Sequence, residues 1–117
     1  MLYNPNWNTK ISIVDLSNPT LQNLIYVLRH PDIWPEDFEW NYYSPSTCAM
    51  GLAYQLWPDH IGNTHSHTMA ECFGMDHEDS WDIFMDCKAG LFNTIMGRSP
   101  TAKQVANKLE KYLAKQH

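Results

Sequence analysis

The stretch between Pro45 and Pro58 constrains this chain most. From Cys48 to Trp57 it reads Cys-Ala-Met-Gly-Leu-Ala-Tyr-Gln-Leu-Trp, and Gln55 is its only strongly polar residue. A helix that is apolar all round cannot sit on a water-facing surface. Residues 46–57 are therefore predicted to form a buried central helix, introduced by Ser44-Pro45-Ser46-Thr47 and stopped by Pro58. Ala49 and Ala53 share one face of it with Gly51 nearby, and side chains this small let a neighbouring backbone come close. With 117 residues the chain has the length of one domain, residues 1–117. A domain of that size buries about two thirds of its unfolded surface, so it needs no disulfide or metal to be stable.

The remaining segments read as cover for that helix. Asn18 as cap and Pro19 in the first turn predict a helix over about 19–30, with Leu21, Leu24, Ile25 and Leu28 as its apolar face and Pro31 ending it. Residues 31–45 are acidic and aromatic. Trp34, Phe38, Trp40, Tyr42 and Tyr43 are expected to fold back over the core, with a short extended piece at 38–42. A short helix over about 67–73, ended by Gly74, precedes another over about 76–87. Asp76 caps the latter, Asp79 takes the capping-box position, and Trp81, Phe84, Met85 and Ile83 give it an apolar side. Residues 88–97 read as a loop or small hairpin. Ser99-Pro100 opens a last helix over about 100–115, with Ala102, Val105, Ala106, Leu109, Tyr112 and Leu113 as its stripe. A strand is expected at 10–16 at most. The fold class is thus mainly α, a small helical domain with at most a small β-sheet.

Charge is distributed unevenly. The net charge is −5, yet residues 1–87 carry 12 acids against 2 bases, and residues 88–117 carry 6 bases against one acid. An acidic body repels nucleic acid, while a basic segment attracts it. The candidate nucleic-acid-binding set is Lys88, Arg98, Lys103, Lys108, Lys111 and Lys115, and Lys103, Asn107, Lys111 and Lys115 fall on one row at i+4 spacing. The plainer reading is that these lysines solvate an outer helix face. No apolar run approaches the length of a membrane span, so no membrane partner is expected. Three cysteines without a C-x-x-C, and a start that lacks the regions of a signal peptide, predict reduced thiols and a cytoplasmic setting.

Two groups of residues invite chemistry. Cys48 would sit in the first turn of its helix, where the dipole lowers a thiol's pKa, and His60, His65 and His67 could serve as its base. Against that stands the ordinary role of a cysteine on an apolar helix, a small core residue. His60, His65, His67, Cys72 and His77 fall within 18 residues and are the candidate zinc ligands, although their spacing matches no standard zinc module. No cofactor is expected.

Three resemblances add to this reading. Residues 67–83, with Ala70 in the first helix, Gly74 in the turn and Met69, Phe73, Met75 and Ile83 as apolar positions, resemble a helix-turn-helix. Ser80 departs from the pattern, where an apolar residue is usual. The loop at 88–98 stands where the wing of a winged helix would follow. The likeness implies DNA reading by the second helix, but Asp76, Glu78, Asp79 and Asp82 load that helix with carboxylates. Ser46-Thr47-Cys48-Ala49-Met50 looks like the start of the catalytic helix in papain-like and cell-wall cysteine peptidases, which implies a thiol hydrolase. Finally, most of the chain resembles a set of small uncharacterised bacterial and phage proteins. The shared pieces are Phe38 to Tyr43, Thr47-Cys48-Ala49-Met50-Gly51-Leu52-Ala53, Phe73-Gly74-Met75 with Ile83-Phe84, and Ser99-Pro100 through Val105-Ala106. Many of that set carry a second cysteine upstream, near where Ser44 stands here, which weakens a metal or redox role. This last resemblance implies a helical fold and no activity.

The functional expectation is a non-enzymatic binding domain that holds DNA or RNA on its basic C-terminal face. The alternatives are a protein-interaction or self-association module, which five tryptophans and six methionines would suit, and a Cys-His thiol hydrolase using Cys48.

Overall fold

The computed structural model describes residues 16–35, 38–42, 48–85 and 100–115. Within them the chain forms five α-helices and no strand: α1 (Leu21–Arg29), α2 (Ala49–Leu56), α3 (Ser66–Phe73), α4 (His77–Phe84) and α5 (Ala102–Lys115). A 3-10 turn at Pro31–Ile33 follows α1. The expected mainly α class is what is observed. Residues 10–15 of the expected strand at 10–16, the expected 88–98 loop, and residues 46–47 and 86–87 lie outside the described residues; α2 starts after its cap Cys48 and α4 ends at Phe84, so both are shorter than the expected 46–57 and 76–87.

Helix α1 starts two residues later than Asn18-Pro19 suggested. Thr20 is the cap, and its Oγ1 accepts the Asn23 N–H at 3.1 Å. The Asn18 carbonyl instead accepts the Asn23 side-chain amide at 2.8 Å. The face that α1 buries is the expected one, Leu21, Leu24, Ile25 and Leu28, with Val27 added.

Helix α2 is buried as its composition requires: Ala49, Met50, Gly51, Leu52, Ala53 and Leu56 all lie in the core. Tyr54 is the exception, at 42% exposed. The core is a single cluster joining α2 to the inner faces of the other four helices, with Leu16, Ile33, Ile61 and Met75 from the connections.

Trp34, Phe38, Trp40 and Tyr42 do fold back, Tyr43 lies outside the described residues, and the two indoles and the phenol, with Trp57, are fixed by their polar tips. Trp34 Nε1 donates to the Val27 carbonyl at 2.7 Å, Trp40 Nε1 to Pro100 at 2.9 Å, Tyr42 Oη to Ile83 at 2.8 Å, and Trp57 Nε1 to Leu16 at 2.8 Å. A buried indole or phenol needs such a partner. The Val27 carbonyl also accepts the His30 N–H at 3.3 Å, so the Trp34 indole adds a second bond at the end of α1. Residues 38–42 form no strand. Their alternation reflects which rings turn inward, not ladder pairing.

Helices α3 and α4 form a corner. Gly74 takes φ 69°, a left-handed conformation that glycine adopts without steric cost, and Met75 N–H donates to Ala70 C=O at 2.8 Å. Asp76 Oδ1 then accepts from Glu78 N–H at 2.9 Å and from Asp79 N–H at 3.3 Å. The capping box expected of Asp79 does not close, because the Asp76 N–H donates to Tyr112 Oη of α5 at 3.0 Å. The apolar side of α4 also differs from expectation. Ile83 and Phe84 are buried together with Ser80, whereas Trp81 is 48% and Met85 36% exposed. Ser80 points inward because its Oγ donates to the Ser66 carbonyl, in the first turn of α3, at 2.7 Å. That bond explains a polar residue where the helix-turn-helix pattern has an apolar one.

The most extensive helix–helix contact joins α1 to α5. Helix α5 starts at Ala102 with Thr101 as its cap, two residues later than the expected 100. Thr101 Oγ1 accepts the Gln104 N–H at 3.2 Å, and Gln104 Oε1 accepts the Thr101 N–H at 2.8 Å, a reciprocal capping box. Val105, Ala106, Leu109 and Tyr112 form its buried stripe.

Candidate functional site

Because α5 buries Val105, Leu109 and Tyr112, residues 103, 107, 111 and 115 fall on its far side. Lys103, Lys111 and Lys115 are exposed there, and Lys108 is half-buried at the edge of the same face. Lys88 and Arg98 lie outside the described residues. No described carboxylate pairs with any of these four lysines. The one acid on the helix, Glu110, is taken by Arg29 of α1: Arg29 Nη2 lies 3.3 Å from Glu110 Oε1 and donates to Asn107 Oδ1 at 2.9 Å. Asn107 of the predicted row is thus a strut between helices. The cation that neutralises Glu110 comes from a residue read in sequence as part of the acidic body.

On its α1 side, this face adjoins a groove of about 590 Å³. Leu28, Pro31, Trp34, Trp40 and Ala102 give it an apolar lining, and Arg29, Thr101 and Lys103 the polar part. The two indoles are stacked, with ring centroids 6.1 Å apart and planes 24° from parallel, and Phe38 meets Trp34 edge-on at 5.3 Å. Both indole N–H groups are used on backbone carbonyls, as described above, so the indoles offer the groove ring surface and no donors.

Sequence reasoning expected these rings to cover the core and missed the groove. Its signals were present separately: tryptophans in the loop after α1, a lone Arg at the end of α1, and Lys103 in the first turn of α5. Nothing local links Arg29 to Glu110, 81 positions away.

On the opposite flank, α5 meets the acidic start of α4 through the Tyr112–Asp76 bond. Glu78 and Asp82 are exposed there and Asp79 half-buried. The second helix of the corner therefore presents carboxylates.

The remaining candidates are placed as follows. Cys48 precedes α2 and is 1% exposed. Burial pushes its thiol above the ordinary value, and the backbone groups of Gly51, Met50 and Cys48 itself offset this only in part. The dipole-lowered thiol expected from sequence is not what this site produces. Burial raises the Cys72 thiol as well.

His65 caps α3, its Nδ1 accepting the His67 N–H at 3.0 Å. His67 lies 3.5 Å from Glu71 and meets His77 with ring centroids 4.3 Å apart and planes tilted by 39°. His60 is exposed. Of the five zinc candidates only His67 and His77 come together, and no group of three His, Cys, Asp or Glu converges among the described residues.

No described helix is long and apolar enough to cross a membrane. Comparison with protein-family models, with curated proteins and with solved structures gives no match.

Proposed function

We propose that this chain is a small non-enzymatic binding domain whose ligand is nucleic acid, held on the exposed face of α5. The observation that carries this reading is the set Lys103, Lys108, Lys111 and Lys115 on one helix face, unpaired by described carboxylates, with Glu110 neutralised by Arg29. Local charge decides such encounters, because fields from the acidic remainder are screened beyond about 10 Å at ordinary salt. The acidic start of α4 favours an approach from the Arg29 side. The helix order of α3 and α4 resembles a helix-turn-helix, but Glu78, Asp79 and Asp82 would face phosphates there, so the reading surface is α5 and not α4.

Titration of a labelled oligonucleotide at increasing salt tests the proposal. Three or four phosphate contacts give a log–log slope of roughly −2 to −4. Lys103→Glu with Lys111→Glu and Lys115→Glu abolishes the binding. Absence of any complex at about 50 mM salt would sink the reading.

Trp81 and Met85, both exposed at i,i+4 on α4, support a second reading, a protein-interaction or self-association module. Sedimentation of the wild type and of Trp81→Lys separates the two. A concentration-dependent oligomer lost in the variant, without oligonucleotide binding, favours the second.

A further inference from the structure

We infer that the groove between the end of α1 and the start of α5 takes an unstacked base of a single-stranded nucleic acid, with the adjoining phosphates on Arg29 and Lys103. This deepens the nucleic-acid reading above and rests on it. Apolar walls with two stacked indoles suit a flat ring, and aromatic side chains are the usual platform for single-stranded bases. The indole N–H groups are spent on Val27 and Pro100, so the rings contribute stacking without reading base edges. The groove's charged lining groups are both cations, Lys103 exposed and Arg29 half-buried.

That division, flat and apolar within and positive outside, matches a nucleotide whose base enters while its phosphates stay in water. Arg29 uses only Nη2 on Asn107 and Glu110 among the described residues, which leaves its Nε and Nη1 donors for a phosphate. Lys103 also belongs to the exposed lysine face, so a strand leaving the groove runs onto Lys111 and Lys115. A duplex keeps its bases stacked on one another and can use only the lysines.

The test compares an oligothymidine of about ten nucleotides with a duplex of equal length, read by tryptophan quenching and by anisotropy. The single strand is expected to quench the indoles and to bind at least about tenfold more tightly than the duplex. Trp40→Leu should remove that preference and leave weak, salt-dependent duplex binding, whereas Lys103→Glu should weaken both forms and the single strand more. Lys103 is exposed and pairs with no described residue, so its variant keeps the fold, and thermal unfolding of both variants verifies this.

Equal affinity for both forms, without quenching and unaltered by Trp40→Leu, overturns the groove assignment while the α5 reading stands. Binding to neither form overturns both. Quenching by an acidic, tyrosine-bearing peptide but not by oligothymidine overturns both in favour of a protein ligand.

Discussion

The α3–α4 corner and the α1–α5 pair are held together by different means. The corner is local. A left-handed glycine, an aspartate cap and one buried Ser80–Ser66 hydrogen bond join helices that follow each other directly. The α1–α5 pair is remote, with Arg29 reaching Asn107 across 78 positions, and rests on two apolar stripes sealed at their edge by polar bonds. The corner is the segment whose sequence resembles a helix-turn-helix, and it carries acids. The remote pair has no motif, and it carries the lysines and the indole groove. The local geometry of a turn and the distribution of charge are therefore separate properties of this molecule, and function has to be argued from the site.

The largest test of this contrast is Leu109→Ala, which empties a fully buried position on α5. A loss of about 2–5 kcal/mol is expected in chemical denaturation. A loss under about 1 kcal/mol would mean that the α1–α5 contact is not the main support of the fold. Ser80→Ala comes next. It strands the Ser66 carbonyl in the core and should cost about 1–3 kcal/mol. No loss would show that the corner does not depend on that bond.

Gly74→Ala should cost about 1–2 kcal/mol, and the cost is purely conformational, since an added Cβ would meet no atom within 4 Å. Gly62→Ala, equally uncrowded and without a positive φ, is the control and should be close to neutral. Arg29→Ala should change stability by at most about 1 kcal/mol, less at high salt, because its partner Glu110 is well exposed. A larger loss would make the bridge a structural requirement and not a charge adjustment.

A last test concerns the thiols. Burial raises the folded values of Cys48 and Cys72, so the folded state holds those protons more tightly than the unfolded chain does. Their contribution is complete below the ordinary thiol value of 9.0 and is lost as pH rises through the raised folded values. Denaturation midpoints should be level in pH near neutrality and fall in alkali. In a Cys87→Ser background, Cys48 should alkylate more slowly than Cys72 at neutral pH. Faster labelling of Cys48 would revive it as a nucleophile.

Much of the helical framework was legible because its signals are short-range. The all-apolar run at 48–57, the leucine spacing of 21–28 and the glycine at 74 each specify local geometry within a turn or two. The errors lie where two local signals competed. Asn18-Pro19 and Ser99-Pro100 looked like helix starts, but Thr20 and the Thr101–Gln104 box supply the bonds that end the orphan N–H groups. Trp81 and Ser80 exchanged places between surface and core because residue type alone does not reveal a carbonyl waiting at Ser66.

By itself the amino-acid order determined that this would be a helical domain with a buried central helix, a capped corner and cations concentrated toward its end. Only tertiary packing decided that Arg29 would neutralise Glu110, that Trp34 and Trp40 would line an open groove beside Lys103, and that Cys48 would be enclosed with a raised thiol. The physical reason is range. Periodicity and capping act over three or four residues, whereas a groove or an ion pair between remote helices exists only once packing has chosen which faces meet.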